Sequence, residues 1–362
     1  MQARKNLALA ALAAVAILAG SARADKGQEG HGLKKGTPEL KSAGPVAFGP
    51  DGILFVADTQ AATLYAIDTG DKTAVGAGRP KVEGIDEKIA SLLGTESKQL
   101  QLASLAVNPL SGNTYISVGR GKGPDAKAAI VKVDREGKVS EMPLTDVAFA
   151  STTLGDAAQG KQRQDAITHI AYVDGKVYVA GLSNEEFSSK LRAIPFPFAT
   201  GVRGASVEFF HGSHGRVETA SPVRTFVACE INGEANLLCA YTCTPLVKIP
   251  VSQLKEGEKV KGTTVAELGK MNRPLDMIVY QKGGKEYLLL ANSARGVMKI
   301  PTEGIDKVAG IEKRVPDKAG QQYETIASLT GVQHLDRFDK DHVLLLTRAK
   351  TGEYSLDTVE LP

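Results

Sequence analysis

One pattern limits what this chain can fold into more than any other: apolar strand, polar turn, apolar strand, recurring six times. The first copy, "GPVAFGPDGILFVADTQAATLYAID", covers residues 44–68. Val46 and Phe48 alternate, Asp51-Gly52 turns, Leu54 and Val56 alternate again, and a third strand runs through residues 64–67. Period-2 alternation around an Asp-Gly turn is the signature of a half-buried hairpin. The apolar anchor at Val46 recurs at Leu105, Ile170, Phe226, Ile278 and Leu335, at separations of 59, 65, 56, 52 and 57 residues. Third strands follow ("AIVKVD", "PLVKIP", "GVMKIP"), and fourth strands are visible in several copies ("TTVAEL", "YETIASL"). Six sets of four short antiparallel strands predict an all-β, six-bladed β-propeller, since one blade cannot bury both of its faces alone. Residues 146–164 leave room for a divergent seventh blade. The sixth copy ends after its third strand at Pro362, so residues 38–41, near the N-terminus, are expected to close the ring as the missing outer strand.

The first residues stand outside this pattern. Arg4 and Lys5, an apolar run over residues 7–18 and the small-x-small site Ala22-Arg23-Ala24 read as a secretory signal peptide, residues 1–24. The expectation is a soluble periplasmic or secreted protein whose residues 25–362 form one domain with no membrane span. The leader takes three of the 44 basic residues and no acidic one, leaving 41 basic against 41 acidic side chains. A neutral chain has no global field for nucleic acid or anionic membrane.

Propeller ligands sit where strand 4-to-1 links and strand 2-to-3 loops gather around the channel mouth. Residues 82–95 fall there and place Ile85, Ile89, Leu92 and Leu93 at helical spacing, which predicts a short helix between the first and second blades. Residues 145–165 form a second insertion. The inner strands bring His169, Arg224, Asp276 and His334 toward the mouth, and the loops add Arg120, Arg295 and Arg348, with Arg273 beside them. Guanidinium groups suit a carboxylate or phosphate, so these residues are candidate contacts for an anionic ligand.

The most chemical segment is "FFHGSHGRVETASPVRTF", where His211 and His214 flank a Gly-Ser turn and Glu218 follows. Two imidazoles and a carboxylate are a ligand set for a single divalent metal, the one cofactor the chain suggests. Cys229, Cys239 and Cys243 cluster in the fourth copy. In an oxidising compartment one disulfide is expected, Cys229–Cys239 or Cys239–Cys243, with one thiol left over.

The segment "PDGILFVADTQAATLYAID" resembles a blade of the NHL-type and gluconolactonase-type (senescence-marker-like) propellers, and the resemblance extends over nearly all of residues 25–362. It implies a six-bladed fold that hosts enzymes and binders alike. The lactonase metal set does not carry over: Ser42-Ala43 stands where a Glu is needed and Ile167-Thr168 where an Asn is needed. Asp276 is displaced by one residue. The sequence also lacks a G-x-S-x-G elbow, H-E-x-x-H or phosphate loop. Two functions follow. The favoured one is a non-enzymatic propeller that binds a partner protein or a small, anionic ligand on its loop face. The alternative is a metal-dependent hydrolase or oxidoreductase with a site rebuilt from His211, His214 and Glu218. Oligomeric state is open.

Overall fold

The computed structural model describes residues 30–199, 203–243 and 245–362. The expected leader, residues 1–24, lies outside them. The chain forms six β-sheets arranged as the blades of a propeller, numbered I to VI here in chain order of their inner strands. Those inner strands are Val46–Phe48, Leu100–Val107, His169–Val173, Val223–Ile231, Pro274–Lys282 and Val332–Arg337.

Six apolar cores, one between each pair of neighbouring blades, fix the ring. Leu54 and Ile67 of blade I pack with Tyr115 and Ile130 of blade II. On its other face, blade I buries Phe55 and Leu64 against Ile170 and Val179 of blade III. Blades III and IV, IV and V, and V and VI share cores in turn. The last core joins blade VI to blade II, not to blade I. The spatial order is therefore II, I, III, IV, V, VI: the first two blades are transposed relative to the chain.

Two long crossings make this possible. Blade I contributes Ile53–Asp58 and Thr63–Asp68 after its inner strand and then breaks off. The chain crosses blade II and places Lys81–Glu83 on the outer edge of blade VI, paired with Tyr354–Glu360. After blade II it returns to lay Val147–Thr153 along Thr63–Asp68 as the outer strand of blade I. Two expectations are corrected here. Residues 146–164 are not a seventh blade: Val147–Thr153 is the delayed fourth strand of the first, and the rest is loop and a 3-10 turn. The closing strand of the last blade is Lys81–Glu83, while residues 38–41 lie across the end of blade I, where Lys41 N donates to the buried Asp58 carboxylate at 2.6 Å. Lys34–Gly36 adds an edge to blade I. Neither crossing leaves a local signature, because each strand pairs with a partner remote in sequence.

A buried carboxylate fastens the first crossing. Asp71 accepts hydrogen bonds from Ser111 Oγ at 2.9 Å, Asn113 Nδ2 at 2.9 Å and Tyr115 OH at 2.9 Å, with Lys132 Nζ at 3.4 Å, all from blade II. Further along, Arg135 Nε donates to Gly78 O at 3.0 Å and Thr358 Oγ1 to Pro80 O at 3.0 Å. Burial alone would raise the Asp71 pKa, but the donors from Asn113, Ser111 and Tyr115, with Lys132, outweigh it and hold the carboxyl below its ordinary range.

The predicted helix forms at Ile85–Leu92. It buries Ile85, Ile89 and the following Leu93 in the core between blades II and VI, while Leu92 faces out. Its ends are tied to loop-face residues: Asp86 accepts from Tyr354 N at 3.0 Å, and Arg120 Nη1 donates to Leu93 O at 2.8 Å.

The cysteines do not pair, which corrects the disulfide expectation. The hairpin turns at Asn232-Gly233 as the sequence suggests, both at positive φ (53° and 76°). Its register sets Cys229 opposite Asn236 and Cys239 opposite Phe226, three residues apart along the ladder. An odd offset sends the two side chains to opposite faces. Cys229 enters the core toward blade V and Cys239 the core toward blade III. Cys243, in the next loop, is also a free thiol. Burial pushes the Cys229 thiol up to about 12 and raises Cys239 as well.

Two outcomes follow. Removing the Asp71 carboxylate strands several buried donors and a lysine, so Asp71→Ala should cost about 3 kcal/mol in urea denaturation. Since its folded pKa is depressed, the Asp71 contribution is present above about pH 4 and fades as pH falls through the folded value. A thiol reagent should modify Cys243 in the folded protein and reach Cys229 and Cys239 only on unfolding.

Candidate binding channel and rim metal cluster

Inner strands have a free edge facing the axis, and what they present there forms the channel wall. In four blades the inner strand carries an extra residue at the same place: the register shifts between Leu102 and Ser104, Val223 and Thr225, Pro274 and Asp276, and Val332 and His334. Such bulges re-aim the following side chain. They also correct the alignment of the fifth copy. Met277, not Ile278, is the equivalent of Phe226 and Leu335, because each of the three faces the preceding blade of the ring. Asp276 consequently holds the ring position of His169 and His334. The mouth-end ring reads Pro45, Ser104, His169, Thr225, Asp276, His334.

Part of this ring closes gaps between blades. Ser104 Oγ accepts from Val46 N at 3.3 Å, and Asp276 Oδ2 accepts from Leu335 N at 3.3 Å. Ser104, His169 and Asp276 also face a cavity of about 710 Å³ along the axis, whose lining includes Asp336. His334 Nδ1 lies 3.3 Å from Asp276 Oδ2, an imidazole–carboxylate pair between blades VI and V. His169 packs edge-on to Phe226 with ring centroids 4.8 Å apart. Its burial lowers its pKa, Asp276 opposes this, and His334 adds to the lowering, so His169 is neutral at pH 7.

Asp336 is a wall residue that the blade alignment does not single out. It follows His334 by two residues, on the same face of the inner strand, and accepts from Val107 N of blade II at 2.7 Å and from Arg337 N at 2.7 Å. Burial pushes its carboxyl up to about 7 against the help of those two N–H groups, and the nearby Asp276 charge adds to the rise. The signal for it is present in "VQHLDRF", whose alternation puts a carboxylate among wall positions.

The candidate cations divide. Arg224, at the mouth end of blade IV, donates through Nη1 to Asp165 Oδ1 at 2.7 Å and through Nε to Thr242 Oγ1 at 3.3 Å. Asp165 ends the 3-10 turn Gly160–Asp165 of the second insertion. Arg273, at the matching end of blade V, is close enough that burial and the Arg224 charge both lower its pKa, with Asp165 opposing. A second guanidinium thus stands near the Arg224–Asp165 pair. Arg295 instead pairs with Asp317 at 3.2 Å, and Arg348 stays within its own loop, bonded to Gly352 O at 3.2 Å and set over the Tyr354 ring. Arg120 is held by Leu93 O. The structure therefore gathers His169, Asp276 and His334, with Arg224 above them, and leaves Arg295 and Arg348 in separate loops.

His211, His214 and Glu218 do come together, at the outer rim. Ala205–His211 starts as the outer strand of blade III, then runs past that blade to the edge of blade IV and returns through Arg216–Glu218. Their ligand atoms all lie within 4.8 Å of one another. Glu218 Oε1 is 2.8 Å from His214 Nδ1 and 3.8 Å from His211 Nδ1, and it also accepts from Arg216 Nε at 3.1 Å. Burial and the neighbouring His214 pull the His211 pKa down to about 4, with Glu218 opposing. Behind it stands Glu267 of blade IV, a buried carboxylate pushed up to about 6 by desolvation against the Gly212 and Ser213 donors.

No protein-family model and no curated protein matches the chain. Among solved structures, it is similar to a Thermus thermophilus protein described as an oxidoreductase (glucose dehydrogenase), at 14% identity over 91% of this chain and 100% of that one, with a TM-score of 0.37. The PQQ-bound aldose sugar dehydrogenase of Streptomyces coelicolor matches at 13% identity over 90% and 96%, with a TM-score of 0.34. A chain of the mitotic checkpoint complex matches at 9% over 90% of each, with a TM-score of 0.40. At these identities no residue role carries over.

Asp336 gives the channel a pH signature. Its folded pKa of about 7 exceeds the ordinary 3.8, so the folded protein holds a proton that the unfolded chain releases. That contribution is complete below about pH 4 and is lost as pH rises toward 7 and above. Asp336→Asn keeps an acceptor for Val107 and lacks the titration. Its melting temperature should match wild type near pH 4 and exceed it at about pH 8, as read by calorimetry across that range.

Proposed function

We propose that the protein is an exported propeller, of the NHL or gluconolactonase type its blades resemble, that binds a small, hydroxyl-bearing anionic ligand in its channel mouth without turning it over. The observation that carries this reading is the placing of a second guanidinium, Arg273, beside the Arg224–Asp165 ion pair at the mouth end of the channel. Two guanidinium groups with one counter-charge leave an unbalanced cation, which suits a carboxylate or phosphate on the ligand. Below them, neutral His169, the His334–Asp276 pair and a protonatable Asp336 offer both donors and acceptors to hydroxyl groups. The cavity of about 710 Å³ below the arginines has the volume of a small-metabolite site and takes in His169, Asp276 and Asp336 before running on past Leu110 and Arg135 toward the opposite end, so the anionic group of the ligand would stand above it. A partner protein inserting an acidic chain end would meet the same groups.

A second reading, a metal-dependent hydrolase or oxidoreductase, is favoured by the clustering of His211, His214 and Glu218. Its difficulty is placement, since that cluster sits on the outer hairpin of blade III, beside blade IV, and the channel is lined by the inner strands.

Calorimetric titration with a panel of hydroxy acids and sugar phosphates, with neutral polyols as controls, separates the readings. The expected result is binding of an anionic member that weakens with salt and falls about tenfold or more in Arg273→Ala, the size of one charge-assisted contact. Equal binding of neutral polyols, or an Arg273→Ala variant indistinguishable from wild type, would remove the anionic-ligand reading.

A further inference from the structure

We propose that the rim cluster is a divalent-metal site of the zinc class, with His211, His214 and Glu218 as ligands and Glu267 as the outer carboxylate that orients His211. The proposal is independent of the channel ligand.

The geometry is that of a ligand set waiting to be drawn together. Around a tetrahedral zinc with metal–ligand bonds of about 2.0–2.2 Å, neighbouring donor atoms lie roughly 3.3 Å apart. Glu218 Oε1 stands 2.8 Å from His214 Nδ1 and 3.8 Å from His211 Nδ1. Those two separations need shifts of about half an ångström, and the His211–His214 separation, within 4.8 Å, needs one of at most about 1.5 Å, which is within side-chain reach.

Three further observations point to a cation. His211 is 2% exposed, and its Nε2 is buried with no hydrogen-bond partner. That nitrogen is 4.0 Å from Glu267 Oε2. When Nδ1 binds metal, Nε2 carries the proton and faces that oxygen, the carboxylate–imidazole–metal arrangement that fixes ring orientation and strengthens the ligand. Glu267 is itself held firmly, by Gly212 N at 2.6 Å and Ser213 Oγ at 3.1 Å. Among the described residues its one ion-pair contact is His211, at 4.0 Å, so a buried carboxylate lacks a close cation that a metal one imidazole away would supply. Finally, Gly212 allows the close approach: a Cβ there would lie 2.8 Å from Val315 Cγ2 and 3.1 Å from Glu267 Oε1.

Three protein ligands leave a fourth position. His214 has a side chain 45% exposed, so that position opens to solvent, where a water or an exogenous ligand completes the shell. Arg216 competes for Glu218 Oε1 in the absence of metal, at 3.1 Å, and must swing away when the ion enters.

The test uses the protein from residue 25 onward, stripped with EDTA and titrated with zinc chloride, with bound metal counted after dialysis. One zinc per chain is expected. His214→Ala and Glu218→Gln should each weaken binding at least a hundredfold, and Glu267→Gln about ten- to a hundredfold. Arg216→Ala should bind as tightly as wild type or tighter, because it frees Glu218. His211→Ala opens a cavity in a packed rim; if it fails to fold, half-exposed His214 carries the ligand test. No stoichiometric zinc in the wild type, or full retention in His214→Ala, would overturn the site. Loss of zinc in Arg216→Ala would mark the cluster as an ion-pair network instead, and unaltered affinity in Glu267→Gln would remove its assigned part.

Discussion

Every blade has two faces to bury, and the ring must therefore close on itself. In this chain closure depends on a carboxylate taken out of water. Asp71, held by Ser111, Asn113, Tyr115 and Lys132, fixes the segment that leaves blade I unfinished and carries the chain over blade II to blade VI. Without that crossing, Lys81–Glu83 could not close blade VI, and the core between blades II and VI, which contains Val82, Ile85 and Ile89, would be open. The return crossing completes blade I with Val147–Thr153. Neither blade I nor blade VI is whole until strands distant in sequence have found them. Such non-local pairing costs loop entropy before any contact repays it, so the transposed ring is a slow-folding arrangement as well as a closed one.

The same absence of a neighbour that makes outer edges need closing leaves the six inner edges free. Backbone N–H groups there are met by side chains from the adjoining blade: Val46 by Ser104, Leu335 by Asp276 and Val107 by Asp336. Polar residues at the mouth are thus required by the fold before any ligand is considered. The bulges decide which ones. A residue inserted ahead of Ser104, Thr225, Asp276 and His334 rotates each into the ring. What exceeds structural need is the His334–Asp276 contact and the high pKa of Asp336. Those are the groups with capacity left for a ligand.

Legibility in the sequence follows how local each feature is. Hairpins, their turns at Asp51-Gly52 and Asn232-Gly233, and the helix at Ile85–Leu92 rest on neighbours close in the chain, and all are readable. The count of six blades follows from them. Blade order is not readable, because "KVE" and "VAFASTT" carry ordinary strand patterns that do not name their partners. A single bulge before Asp276 shifts the fifth copy by one residue and hides the equivalence of Asp276 with His169 and His334. The cysteines mislead for a related reason: proximity along a hairpin suggests pairing, and only the register shows that an offset of three sends Cys229 and Cys239 to opposite faces. His211, His214 and Glu218 are visible as a local motif, whereas Glu267 lies 49 residues past Glu218, on the next blade.

The bulge before Asp276 also bears on what the channel can hold. It restores to the mouth a carboxylate that the sequence register turns away, but it restores only that one. Ser42 donates to Asp58 through both its backbone N and Oγ, and Thr168 Oγ1 donates to Val223 O at 2.5 Å, so the other two positions of a lactonase-type set are occupied in joining segments. Asp276 is left facing an imidazole. A carboxylate with one imidazole partner and a protonatable neighbour at Asp336 is suited to hydrogen-bonding hydroxyl groups, while a metal needs several anionic or imidazole donors converging on one point. Among the described residues that convergence occurs at the rim, in His211, His214 and Glu218. The proposed ligand groups and the proposed metal ligands thereby lie on different strands of the blades, the inner for the one and the outer for the other.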